Sequence, residues 1–373
     1  MILKKGDFAA FARRVRAQHK GIIVYGAGVI GETVAPYWLN EYELDESVLC
    51  YVDADIHKQG KNIPLHSRAV LVEPLAILAE ESGNYVLLIT VSAFEPVVQS
   101  LEQLPGMEDV EAYFLPIMLL DAAHAPKKSG VIQTSETPLI PKKIHYCWFS
   151  GNPIPRPLQS CIDSWRRHCP DYEIIRWDES NYDVGKCLYM KQAYERKKWG
   201  FVSDYARLDI LYQHGGIYLD TDVELMRNLD ELLYQPAFCC AEKWGVINTG
   251  VTGAQPENPA IRAMLDFRKD SIFLRSDGSE NQTSSGFYDT LPLLKHGMKI
   301  NLEVQSILNG AMTIYAPEFF QPFDYMSGET HITQNTFSIH HFSGTWLGGA
   351  EAKKRAETRR HYQEFLSRLE GVD

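Results

Sequence analysis

The chain has 373 residues, 45% hydrophobic and 23% charged, a balance that excludes a fibrous or bulk-disordered protein and leaves room for two domains. Its 48 acidic side chains outnumber the 37 basic ones, so the net charge of −11 repels phosphate backbones and excludes nucleic acid as the expected partner. The seven cysteines are odd in number and never spaced as CxxC, so they read as reduced thiols rather than a zinc site or a disulfide framework.

The N-terminus lacks the apolar core of a signal peptide, and no stretch approaches the roughly 18 apolar residues of a membrane span. A cytoplasmic protein is expected, and peripheral attachment at the inner face of a membrane is compatible with that. The segment GIIVYGAGVIGETVAPYWLNEY then begins as an apolar strand, turns through Gly26, Gly28 and Gly31, and continues as an amphipathic helix. In such a strand–GxGxxG–helix unit the first glycine allows the tight turn, the second lets a backbone approach a diphosphate, and the third permits close helix packing. A second strand, SVLCYVDAD, puts Asp53 about 20 residues further on, where a ribose-binding acid is expected. Further buried strands, YVLLITVS and VEAYFLP, alternate with helical stretches at 74–82 and 95–103. Residues 1–120 therefore read as a small Rossmann-like, doubly wound α/β domain. Its stretch YVDADIHKQGKNIPLHSRAV resembles the N-terminal nucleotide-sugar-binding halves of bacterial sugar-modifying enzymes. A bound nucleotide and a purely docking or regulatory role are both open for this domain.

Residues 121–140, rich in Pro, Ser, Thr and Lys and without periodicity, read as a linker. A new α/β pattern starts at KKIHYCWFSGNPIP and continues to about residue 350, and residues 351–373 form a charged amphipathic helix expected to pack on this second domain. Within the helical stretch FVSDYARLDILYQHGG, Asp204 and Arg207 lie three apart on one face, and Gly215 and Gly216 end the helix. They form either a surface ion pair or a pair directed into a cleft, where Asp204 accepts sugar hydroxyls and Arg207 neutralises phosphate. GGIYLDTDVE follows as a strand whose period of two turns Asp220 and Asp222 to one side and Thr221 to the other. Two carboxylates at that spacing suit a Mn²⁺ or Mg²⁺ ion that also holds a diphosphate. Far downstream, TFSIHHFSGTW adds His340, His341, Ser343 and Trp346.

Five blocks, IPKKIHYCWFSG, PDYEIIRWDE, VSDYARLDILYQHGGIYLDTDVELMRNLDEL, INTGVTGAQPENP and IHHFSGTW, resemble in this order the blocks of glycosyltransferase family 32, the capsular-polysaccharide and initiating-mannosyltransferase type with a DxD sugar-binding region. They are also similar to the glucosyltransferase domains of the large clostridial cytotoxins. The resemblance implies a GT-A type α/β domain, metal dependent, that transfers a glycosyl group from a nucleotide-diphospho-sugar to a glycan hydroxyl with retention of configuration, in surface or capsular polysaccharide synthesis. Trp148 would then stack on the base, with a UDP-sugar favoured. Asp204 and Arg207 would hold the donor sugar, Asp220 would bridge ribose and metal, and Asp222 would bind the metal. His341, heading an H-x-x-G pattern, would be the third ligand, with His340 as the alternative because neighbouring strand residues face opposite sides. Ser343 and Trp346 would contact the β-phosphate, and Asn248 would stand on the acceptor side. One block departs from the family as TSSGFYDTL, which leaves the acceptor geometry open. Two other readings exist. A nicotinamide-dependent sugar oxidoreductase would use GAGVIG, and a non-catalytic scaffold would only bind nucleotide sugars.

Overall fold

An uninterrupted apolar run such as Ile22–Tyr25 suits a strand covered on both faces, and it runs inside an eight-stranded sheet. The structure, a computed structural model, describes residues 1–80, 83–91, 94–120, 123, 127, 129–344, 359, 362 and 364–371. The chain divides into two units, residues 1–123 with 349–373, and residues 124–348.

Unit 1 contains β1 (Ile2–Lys5), α1 (Phe8–Gln18), β2 (Gly21–Tyr25), α2 (Ala35–Glu41), β3 (Val48–Val52), β4 (Asn62–Pro64), β5 (Ala69–Glu73), α3 (Ile77–Glu80), β6 (Tyr85–Ile89), α4 (Phe94–Glu102), β7 (Glu111–Phe114), α5 (Leu115–Met118) and, from the far end of the chain, β17 (Glu370–Gly371). The strand order is β17-β1-β7-β6-β2-β3-β5-β4, parallel throughout except for the β4–β5 hairpin, so the expected doubly wound α/β arrangement is what the chain adopts. Gly26 has φ +104°, a conformation that a side chain would strain, and a Cβ on Gly31 would stand 1.9 Å from the Gly26 carbonyl oxygen. Helix and turn can approach this closely only as glycines.

The C-terminal stretch corrects an expectation. It joins unit 1 instead of the second domain: β17 runs parallel beside β1, and Phe365 stacks on Phe94 and meets Phe114 edge-on, each at 4.8 Å between ring centroids. Phe94 on α4 and Phe114 on β7 form an apolar surface that needs this ring to cover it, and Arg368 ties the same segment to Glu102 at 2.7 Å.

In unit 2, residues 129–140 of the expected linker are irregular backbone held along the unit, with the Thr134 and Leu139 N–H groups donating to the Tyr234 and Leu233 carbonyls at 2.8 Å. Its strands are β8 (Lys143–Cys147), β9 (Glu173–Trp177), β10 (Gly216–Leu219), β11 (Val223–Leu225), β12 (Ala237–Ala241), β13 (Ile247–Ala254), β14 (Gln305–Ile307), β15 (Met312–Tyr315) and β16 (Ser338–His340). Seven form a mixed sheet in the order β14-β15-β12-β13-β10-β8-β9, and β11 pairs antiparallel with β16 in a separate ribbon. The helices are α6 (Arg156–His168), α7 (Leu188–Glu195), α8 (Trp199–His214), α9 (Pro259–Arg268), α10 (Ser285–Leu294) and α11 (Pro317–Phe320). One apolar core joins α7, α8, α9 and the sheet; the other joins α6, α11 and the opposite face. This mixed α/β sheet fits the GT-A type.

His145 on β8 pins the end of α8. Its Nε2 meets the Gly215 carbonyl at 2.8 Å and its Nδ1 accepts from Trp177 Nε1 at 3.0 Å, which fixes the tautomer with the proton on Nε2. Burial lowers its pKa to about 4, so it is a neutral structural residue. Among the described residues, no helix is long and apolar enough to cross a membrane.

Phe365→Ala removes a buried ring from the α4–β7 surface, and the expected cost is about 3 kcal/mol. Urea unfolding should show an earlier transition for unit 1; an unchanged midpoint would contradict the docking of the tail.

Candidate active site

The site begins with two charged residues inside a helix. Asp204 and Arg207 of α8 are only 8% and 6% exposed, so the i, i+3 pair read from the sequence is buried, not a surface bridge. Arg207 Nη2 lies 3.2 Å from Asp204 Oδ1 and 3.2 Å from Asp220 Oδ1. Its Nε donates to the Ser203 carbonyl at 3.2 Å, its Nη1 donates to Thr249 Oγ1 at 3.3 Å, and the guanidinium carbon sits 5.0 Å from the centroid of the Tyr218 ring. Burial works against this charge, but Asp220, Tyr218 and Asp204 outweigh it and raise the Arg207 pKa further. Burial also raises the Asp204 carboxyl above its ordinary range, although Arg207 pulls the other way.

Asp220 and Asp222 differ from expectation in backbone and agree in outcome. β10 ends at Leu219, and the two aspartates occupy a turn in which the Val223 N–H donates to the Asp220 carbonyl at 3.0 Å. Strand alternation is therefore not what brings them together. The chain must leave the sheet after Leu219 to start the β11–β16 ribbon, and the turn that does this aims both carboxylates at β16. Asp220 stays tied to the sheet, because its N–H donates to the Gly250 carbonyl at 2.8 Å and Tyr218 Oη donates to its Oδ1 at 3.1 Å.

The ribbon register places Val223 opposite His340. His340 Nε2 then lies 3.2 Å from Asp222 Oδ1 and 3.9 Å from Asp220 Oδ2, and the ring is buried against Phe342 at 4.2 Å. Burial favours the neutral imidazole, but Asp222 outweighs it and raises the His340 pKa; burial likewise works against the Asp222 carboxylate, but His340 and the Ser343 donors hold its carboxyl below the usual range. His341, one position on, faces outward to Glu224 Oε2 at 3.0 Å. Asp220, Asp222 and His340 thus offer ligand atoms all within 4.8 Å of one another, a grouping that His341 does not join.

Of the other residues singled out, Ser343 donates to Asp222 Oδ2 from its N–H at 2.8 Å and its hydroxyl at 2.9 Å. Trp346 lies outside the described residues. Asn248 accepts from the Gly250 N–H at 2.8 Å and donates to Glu242 at 2.8 Å. A Cβ on Gly250 would meet Asp220 Oδ2, Asn248 Oδ1 and His340 within 2.9 Å, so the three converge on a glycine that must be there. Trp148 is half-buried just past β8, its indole N–H donating to the Asn152 carbonyl at 2.7 Å. A cleft of about 450 Å³ adjoins Asp222, lined also by Leu158, Cys161, Arg167, His341 and Ser343. In unit 1 the Asp53 carboxylate is taken up by the chain's own donors: the Ala27 N–H at 2.7 Å, the Asp55 N–H at 2.8 Å and Lys58 Nζ at 3.0 Å. Lys58 Nζ is also the nearest group to a Cβ built on Gly28, at 4.0 Å.

Sequence reasoning missed Tyr218, Thr249, Arg268 and Asp289. Thr249 donates to Asp289 Oδ2 at 2.9 Å, and Arg268 holds Asp289 Oδ1 from Nη2 at 2.6 Å and Nε at 3.2 Å. Tyr218 was readable from its position two before Asp220; no local pattern links α9 and α10.

Residues 155–239 match the family described as glycosyltransferase sugar-binding region containing DXD motif. Inositol phosphoceramide mannosyltransferase 3 of Schizosaccharomyces pombe is 35% identical over 142 residues, covering 35% of this chain and 37% of that protein. Mannosyl phosphorylinositol ceramide synthase CSH1 of Saccharomyces cerevisiae is 33% identical over 147 residues, with 35% and 37% covered. The chain thus spans a little over a third of the length of these two relatives. Among solved structures, the PaToxG glycosyltransferase superposes with a TM-score of 0.35 at 17% identity, over 48% of this chain and 75% of that one. The residues matched to this family lie in unit 2 and include Asp220 and Asp222, the two aspartates of the DxD pattern.

Arg207→Leu leaves Asp204 and Asp220 facing each other with no guanidinium between them. The expected loss is about 3–5 kcal/mol of unit 2 stability in denaturant unfolding, and a variant as stable as the parent would contradict the bridging role.

Proposed function

We propose that the chain is a metal-dependent, retaining glycosyltransferase that moves a sugar from a nucleotide-diphospho-sugar to a glycan hydroxyl. The observation that carries this reading is the convergence of Asp220, Asp222 and His340 beside buried Arg207, with Arg207, Asp220 and Asp222 inside the region matched to the DxD sugar-binding family. Two carboxylates and one imidazole are a donor set that fits Mn²⁺, or Mg²⁺ less closely. Among the described residues, the ion pairs of Asp204, Asp220, Asp222 and Asp289 run to Arg207, Arg268 and His340, so four carboxylates meet fewer basic groups and the cluster has room for added positive charge. A divalent cation held by Asp220, Asp222 and His340 would stabilise charge on the departing diphosphate.

The chain's own residues supply the rest. Arg207 is a fixed cation whose orientation is set before substrate arrives, so it loses no reorganisation energy as charge develops on the leaving group. Asp204, beside it, accepts donor-sugar hydroxyls. Ser343 steadies Asp222, and Trp148 offers a ring to the base. Attack on the same face, with the departing phosphate taking the acceptor proton, accounts for retention without another carboxylate nucleophile. A UDP-sugar remains the favoured donor; one relative is an inositol phosphoceramide mannosyltransferase and another a mannosyl phosphorylinositol ceramide synthase, so mannose donors belong in the same test. We place the activity in surface or capsular polysaccharide assembly on the cytoplasmic side, with peripheral association to the assembly complex. For unit 1 we propose nucleotide binding at the Gly26–Gly31 turn, with Lys58 as the cation over Gly28.

The test is release of free nucleotide from a panel of UDP- and GDP-sugars with and without Mn²⁺. One donor should be hydrolysed in a Mn²⁺-dependent reaction that a chelator stops, and Asp222→Asn should lower turnover by about 100-fold or more with little change in melting temperature. Full activity in Asp222→Asn, or no turnover of any donor, would defeat the assignment.

A further inference from the structure

Arg207 reaches two carboxylates with one nitrogen, and something must hold its fork at that angle. Its Nη1 points at the Thr249 hydroxyl, 3.3 Å away. A threonine hydroxyl has one proton, so it can turn its lone pairs to Arg207 only if the proton is engaged elsewhere. Asp289 engages it: Thr249 Oγ1 lies 2.9 Å from Asp289 Oδ2. The Asp289 carboxylate is fully buried and would be costly alone, but Arg268 neutralises it through two hydrogen bonds to the other oxygen. Arg268 is held in turn by the Ser285 carbonyl at 3.3 Å. Donation therefore converges on Asp289, from Arg207 through Thr249 on one side and from Arg268 on the other.

We propose that Thr249, Asp289 and Arg268 are positioning residues that fix the Arg207 guanidinium for catalysis by dictating the polarity of the Thr249 hydroxyl. Asp289 makes Thr249 an acceptor toward Arg207; without it the hydroxyl proton has no fixed acceptor, and the fork loses this anchor. The block TSSGFYDTL, which departs from the family pattern, thereby gains a role through Asp289: it supports the donor side of the site from α10. The inference rests on the functional reading above for its catalytic part and on geometry alone for its positioning part.

The experiment therefore has two readouts. The first is the Arg207 side-chain Nε–H resonance in ¹⁵N-arginine-labelled protein, assigned by its absence in Arg207→Lys. Thr249→Val keeps the shape and removes the hydroxyl, and it should shift this resonance and speed its hydrogen exchange at least about tenfold; Thr249→Ser should restore both, and Asp289→Asn should resemble the valine variant. The second is Mn²⁺-dependent donor hydrolysis, where Thr249→Val should lower kcat about 10- to 100-fold with KM changed less than about threefold, and Thr249→Ser should recover most of it. An unchanged Arg207 resonance in Thr249→Val overturns the proposal, as does equal disturbance by valine and serine, which would mean packing instead of hydrogen-bond polarity. Should Asp289→Asn fail to fold, the valine and serine pair still decides the question. Absence of hydrolysis in the parent defeats the functional reading and leaves the resonance to decide the positioning.

Discussion

Everything in the site follows from the need to keep several carboxylates close together in a place with little water. Like charges at such distances repel strongly once buried, and burial adds a desolvation cost that only well-placed cations offset. Arg207 offsets it from within, lying between Asp204 and Asp220, while His340 meets Asp222 from the other side. The fold is arranged so that these two side chains arrive from distant parts of the sequence. α8 brings Arg207, and the β11–β16 ribbon brings His340 to the turn after β10.

This arrangement ties stability to chemistry. The residues that hold the turn in place, Tyr218 on Asp220 and Ser343 on Asp222, also set how the carboxylates face the space beside them. Because Gly250 leaves no room for a Cβ next to Asp220, Asn248 and His340, the β13 backbone forms the floor of the site. A rigid floor and pre-paired charges are the conditions under which electrostatic stabilisation of the proposed leaving group is most effective.

Part of this was legible in the sequence, and the reasons differ by residue. The glycine turn of unit 1 and the doubly wound sheet follow from apolar runs and spacing, which are local signals. The buried Asp204–Arg207 pair was legible as a pair, because i, i+3 neighbours share a helix face, but its burial depends on α9 and β13 packing against α8. The convergence of Asp220 and Asp222 was expected from strand alternation and is produced by a turn. The position of His340 depends on the register of the β11–β16 ribbon, a pairing across more than a hundred residues that no window of sequence contains. The docking of the C-terminal stretch on unit 1 was misread for the same reason. Its amphipathic pattern states that one face is buried, and says nothing of which surface buries it.

We propose that Asp220, Asp222 and His340 together hold a divalent cation. Pulsed electron paramagnetic resonance of Mn²⁺ bound to protein labelled with ¹⁵N-histidine reads the histidine ligand of such a site. The expected spectrum shows a coupling to a single imidazole nitrogen that vanishes in His340→Ala and persists in His341→Ala. A coupling that survives the loss of His340 and disappears with His341, or no histidine coupling at all, would contradict it.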